Sequence, residues 1–83
     1  MNSIIKENFT AGKIYKAYSY IEFLNRVEKI AKECGYYIGY VYKGSKNIDI
    51  DLDSEGVSTI ELSFSYYKYD NYYIYLLEVS SIG

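Results

Sequence analysis

The stretch Thr59-Ile60-Glu61-Leu62-Ser63-Phe64-Ser65-Tyr66-Tyr67-Lys68-Tyr69-Asp70-Asn71-Tyr72-Tyr73-Ile74-Tyr75-Leu76-Leu77-Glu78-Val79-Ser80 decides the fold. Its first arm alternates strictly: Ile60, Leu62, Phe64 and Tyr66 fall on one face, and Thr59, Glu61, Ser63 and Ser65 on the other. That period of two is a half-buried strand. Asp70-Asn71 supplies two residues that tolerate the backbone of a tight turn, so the stretch reads as a β-hairpin. With those two residues as the loop, Tyr67 faces Ile74 and Ser65 faces Leu76 on one side. Tyr66 faces Tyr75, Phe64 faces Leu77 and Leu62 faces Val79 on the other, and Ser63 faces Glu78. A slip of one residue would invert every face, so the agreement of turn and pattern supports the register.

Working back from the hairpin, Ile48 to Asp53 alternates as a strand, and Ser54-Glu55-Gly56 reads as a three-residue loop with Gly56 in the left-handed position. That loop pairs Ile50 with Ile60 and Ile48 with Leu62 on the core side, and Asp51 with Thr59 and Asp49 with Glu61 on the outer side. Tyr36 to Lys43 is a further strand rich in Tyr, Ile and Val, joined through Gly44-Ser45-Lys46-Asn47. It sets Val41 against Ile50 and Gly39 against Leu52 inside, and Tyr42 against Asp49 and Tyr40 against Asp51 outside.

Upstream, Ser19-Tyr20-Ile21-Glu22 is a capping box that opens a helix. Tyr20, Phe23, Leu24, Val27, Ile30, Ala31 and Cys34 recur at helical spacing as one apolar stripe, and Gly35 ends it. Lys13 to Tyr18 alternates briefly as an edge strand, its lysines guarding against pairing with other chains. Residues 1–12 are polar and weakly patterned and read as a loose arm. The predicted fold class is α+β. One helix, about 20–34, packs on one face of a four-stranded antiparallel meander at about 36–43, 48–53, 57–69 and 72–80, with a short extra edge strand at 13–18.

At 83 residues the chain is one small domain. Such a domain buries only about 60–65% of its unfolded surface, so good packing or a partner matters. It holds thirteen tyrosines and no His, Trp or Pro. The absence of His removes the side chain most used for acid–base catalysis and metal binding near neutral pH. The single Cys forms no internal disulfide, and no leader or membrane-spanning run is visible, which points to a reducing cytoplasm. Net charge is −2, unevenly spread: residues 1–46 carry eight Lys/Arg against four Asp/Glu, and residues 47–83 one Lys against seven Asp/Glu.

Few constellations point to chemistry. Asp49 to Gly56 has part of the pattern of a calcium loop, but Ser54 stands where the sharp turn needs Gly and Ile60 where a bidentate Glu is required. Cys34 has no His to activate it, Ser19 is explained as a helix cap, and no glycine-rich phosphate loop exists. The reading is therefore no enzyme, no metal and no cofactor. What remains is a surface. Asp49, Asp51, Asp53 and Glu61 share the outer sheet face with Tyr40, Tyr42, Tyr67, Tyr69, Tyr72, Ile74 and Leu76. Like charges opposite one another in a sheet are destabilising, so a small domain that keeps them has a use for the field. Tyrosines supply large contact area at low entropic cost.

This face suits another protein with a basic surface, and its acidity opposes nucleic acid. A homodimer built on the same face, or a single-strand nucleic-acid binder, are the alternatives. The composition is similar in style to that of small proteins of phages and mobile elements in AT-rich bacteria. Many of those block host defence nucleases, some with carboxylates placed where phosphates would sit, as in anti-CRISPR-like mimics. The likeness carries no family motif and implies only an expectation: a small inhibitor or adaptor.

Overall fold

The computed structural model describes residues 2–55 and 59–82. The elements are α1 (Asn2–Asn8), β1 (Ile14–Ala17), α2 (Tyr20–Glu33), β2 (Tyr37–Lys43), β3 (Asn47–Asp53), β4 (Thr59–Lys68) and β5 (Tyr73–Ser80). The strands form one antiparallel sheet in the order β1-β5-β4-β3-β2. The short run at 13–18 is thus a true edge strand, and it pairs with the last strand of the chain.

Helix α2 joins the two edges of the sheet. Its 14 residues span about 21 Å at roughly 1.5 Å per residue. Five strands separated by about 4.8 Å give a width near 19 Å. One helix therefore crosses the whole sheet, packing on both edge strands. Both ends of α2 are built as the residues dictate. The Ser19 hydroxyl accepts from the Glu22 N–H at 3.1 Å, and the Glu22 carboxylate reaches back to the Tyr18 N–H at 2.6 Å. At the other end Gly35 takes φ +83. Its N–H donates to the Lys32 carbonyl at 3.1 Å and the Tyr36 N–H to the Ala31 carbonyl at 2.8 Å, a Schellman closure.

The core lies between α2 and the inner sheet face. Phe23 is its centre: the ring stacks flat on Tyr75 (3.8 Å between centroids, 5°) and meets Phe64 edge-on at 5.0 Å. Tyr15 packs edge-on to both Phe23 and Phe64. Around them lie Val27, Ala31, Ile48, Ile50, Leu52, Leu62 and Leu77, all buried. Cys34 is buried beside them, and burial together with the Glu33 charge pushes its thiol up, away from a reactive thiolate.

Four expectations change. Residues 2–8 form a helix in place of a loose arm, because Ile5 and Phe9 are buried in the core. The segment is fastened by the Tyr15 hydroxyl donating to the Asn8 carbonyl and the Ser80 hydroxyl to that of Phe9, both at 2.6 Å. Second, β3 and β4 pair two residues away from the expected register: Asp53 faces Thr59, Leu52 faces Ile60, Asp51 faces Glu61 and Ile50 faces Leu62. The connection is five residues, 54–58, where three were expected. A shift of two preserves the faces, so apolar residues still meet apolar ones. Gly56 and the start of the expected 57–69 strand lie outside the described residues.

Third, Gly39 is not an inner-face residue. It is skipped in the pairing of β2 with β3, between Ile38, opposite Leu52, and Tyr40, opposite Asp51. A Cβ on Gly39 would lie 1.9 Å from the Asp53 carboxylate, so this bulge glycine makes room for Asp53. Fourth, the β4–β5 hairpin keeps the expected pairs from Lys68–Tyr73 to Phe64–Leu77 and then breaks register. Ser63 faces Val79 and Leu62 faces Ser80, with Glu78 the extra residue. The bulge turns Val79 outward, where it is 62% exposed, instead of leaving it opposite Leu62 in the core.

Candidate functional site

The sheet face opposite α2 is organised in rows, because side chains of paired residues share a face. From the far end towards the hairpin tip, the first row is Tyr37–Asp53–Thr59, and the second Tyr40–Asp51–Glu61. The third is Tyr42–Asp49–Ser63–Val79, and the fourth Asn47–Ser65–Leu76–Ile14. The last is Tyr67–Ile74–Lys16. Rows are separated by about 6.6–6.8 Å, two residues along a strand.

This map divides the expected residues into three groups. Asp49, Asp51, Asp53 and Glu61 do gather, with Tyr40 and Tyr42 beside them on the edge strand. A shallow groove of about 360 Å³ runs between Tyr40, Asp49, Asp51, Glu61, Ser63 and Val79. Ile74 and Leu76 lie half-buried on β5 and, with exposed Ile14, make an aliphatic strip next to it. Tyr67, Tyr69 and Tyr72 stand apart at the hairpin tip. There the Tyr69 and Tyr72 rings stack at 5.3 Å, and the Lys16 ammonium sits 4.3 Å from the Tyr72 ring centre.

The expected confrontation of Asp49 with Glu61 is corrected by the register. Asp51 is the residue directly opposite Glu61, and Asp49 faces Ser63. Asp53 is tethered by the Thr59 hydroxyl, which donates to it at 3.0 Å. Among the described residues none of these four carboxylates is paired with a Lys or Arg, so their field points outward uncompensated. No group of three His, Cys, Asp or Glu side chains among the described residues has an arrangement that could hold a metal ion.

Tyr37 and Val79 belong to this face, although the pattern did not place them there. Tyr37, 48% exposed, faces Asp53, and Val79 lines the groove. The signal for Tyr37 was Gly39: a glycine inside a strand marks a bulge, and a bulge changes which side the preceding residues take. Val79 carried no such marker, since Glu78 resembles any solvent-facing strand residue.

No protein-family model, curated protein or solved structure matches the chain. Among the described residues no helix is long and apolar enough to cross a membrane.

Proposed function

We propose that the chain is a non-enzymatic protein-binding module, a small inhibitor or adaptor that docks its acidic outer face on a basic surface of another protein. The observation that carries this reading is the row of Asp49, Asp51 and Asp53 with Glu61 beside it, outward-facing and unpaired with Lys or Arg among the described residues. Successive carboxylates on β3 lie about 6.8 Å apart. Such a periodic line of negative charge is what a phosphate-reading groove accepts, so these carboxylates stand in for phosphates against Lys and Arg of the partner. Tyr37, Tyr40 and Tyr42, each about half exposed, supply the packing beside that charge.

The chemistry of the face favours binding over catalysis. The groove is shallow and open to water, with no enclosed pocket in which a carboxylate could act as a shielded acid or base.

The test is capture by the tagged chain from lysate of its native cell, with the retained protein identified by mass spectrometry. Asp49→Lys/Asp51→Lys is expected to lose that protein while keeping the wild-type circular dichroism spectrum, because both substitutions are on the open face. Retention at the wild-type level would exclude the acidic row as the docking surface. Sedimentation at several concentrations separates a foreign partner from a second copy of the chain.

A further inference from the structure

We infer that the opposite end of the molecule, where the β4–β5 hairpin overhangs the sheet, is a second binding site, one for single-stranded nucleic acid. β3 begins at Asn47, opposite Ser65, whereas β4 continues to Lys68. Beyond Ser65 strand β4 is flanked on one side by β5, which β1 continues to pair as far as Ala17–Tyr73, and is open on the other. A cleft of about 560 Å³ lies there, between the β2–β3 turn and the ribbon, lined by Lys46, Ser65, Tyr66, Tyr67 and Lys68.

The backbone also points into this space. The Tyr69 N–H donates to the Tyr72 carbonyl at 2.8 Å, which marks those residues as a hydrogen-bonded pair. By the alternation of an antiparallel ladder, the N–H groups of Tyr66 and Lys68 then face away from β5. That of Tyr66 reaches the Lys46 carbonyl at 3.2 Å. The N–H of Lys68 lies past the start of β3 and faces the open side. The cleft is thus lined by two lysines and a backbone donor, the Lys68 ammonium standing 5.9 Å from the Tyr73 ring centre.

Charge and rings are arranged for the same ligand. Lys43 stands at the same end, its ammonium 3.2 Å from the Tyr66 hydroxyl, and Lys16 lies in the Tyr67 row. Against these four cations stand Asp70 at the turn and Glu78, which accepts from the Ser65 hydroxyl at 2.7 Å. Of the acidic row, Asp49 follows Ile48, the residue that faces Lys43, but points to the other side of the sheet, and it is remote from Tyr67. Asp49 faces Ser63, four residues before Tyr67; four residues span about 13 Å, beyond the roughly 8 Å screening length at physiological salt. Tyr67 is 51% exposed, and Tyr69, equally exposed, has one ring face stacked on Tyr72; the remaining ring faces are open for bases to stack on while the lysines hold phosphates. A duplex keeps its bases stacked on each other and cannot use those rings, so the site selects single strands.

The experiment is fluorescence anisotropy of a labelled oligothymidylate single strand titrated with the full chain over a range of salt. Binding is expected to weaken with salt, with a log–log slope of about −0.7 per phosphate held. Lys46→Gln/Lys68→Gln, both exposed positions, should lower affinity tenfold or more and flatten the slope by about 1.4. Tyr67→Ala should weaken binding about fivefold to a hundredfold, and the matching duplex should bind less tightly than the single strand. Absence of binding at low salt overturns the proposal, as does binding indifferent to the lysine pair. Full displacement by inorganic phosphate, with Tyr67→Ala silent, overturns it in favour of a simple anion site. If Tyr67→Ala abolishes self-association and leaves the anisotropy unchanged, the ribbon serves a second copy of the chain and the proposal fails.

Discussion

The two faces of the sheet come from the same strands, yet they tolerate different things. On the inner face every buried residue described is hydrophobic, none is polar or charged, and Phe23, Phe64 and Tyr75 are almost fully enclosed. On the outer face Asp51 is set opposite Glu61, and tyrosines stand half exposed. The inner face is governed by packing, where a lost methylene is felt because the surroundings cannot collapse around it. The outer face is governed by field and contact area, and its arrangement works against the stability of the isolated chain. The difference teaches where to look for function: in the face that the fold alone would not have chosen.

Phe23→Ala breaks the inner side of this comparison most severely. It removes the ring that stacks on Tyr75 at 3.8 Å and abuts Phe64. The cost should be about 3–5 kcal/mol, a large part of the total for a domain of this size. Urea unfolding followed by circular dichroism measures it. Tyr40→Ala, 57% exposed in the wild type, should change the same unfolding free energy by under about 0.5 kcal/mol. Equal losses would show that the outer tyrosines support the fold.

Alkaline pH probes the same contrast without mutation. Burial pushes the Tyr15 phenol up to about 12, the nearby Arg26 opposing it in part. Burial, reinforced by Tyr73, Tyr66 and Tyr20, likewise pushes Tyr75 up to about 12. In the unfolded chain both ionise near 10. Since the folded values are the higher ones, unfolding is increasingly favoured as pH rises from about 10 to 12, where the unfolded state releases protons that the folded state keeps. The urea midpoint should therefore be insensitive to these two groups below about pH 9.5 and fall above 10. Tyr15→Phe with Tyr75→Phe should remove much of that decline. A midpoint that stays level through pH 11 would contradict the buried phenols.

How much of this was legible in the residues follows the same division. The apolar stripe of α2 and its caps were readable because helix periodicity and Ser19, Glu22 and Gly35 act locally. The faces of β3 and β4 were readable because a two-residue register error leaves parity intact. The error itself arose because a three-residue and a five-residue connection both align apolar with apolar, so the pattern cannot choose between them. The break at Glu78 was not readable, since nothing in Leu77-Glu78-Val79 marks which residue is extra. Residues 2–9 failed differently. Ile5 and Phe9 are too few to show a period, and their burial depends on a space that only the assembled sheet and α2 create. On the outer face the acidic row was legible as composition, but its separation from the tyrosines of the hairpin tip needed the corrected rows.

A small expected effect makes the sharpest test of the outer face. Glu61→Gln removes one charge from the pair in which Asp51 and Glu61 stand directly opposite. Glu61 is exposed, and the amide fits the same space, so no packing is lost. Relief of like-charge repulsion should raise stability by about 0.2–1 kcal/mol, and the gain should shrink in high salt, where the wild-type pair is already screened. If the acidic row docks on a basic partner, the same substitution weakens capture. Stability and binding then move in opposite directions, which a purely structural residue cannot produce, since its loss lowers both. A substitution that lowered the urea midpoint instead would mean that Glu61 is held by a favourable contact, and the claim that this face is kept against the interest of the fold would fail at its central pair.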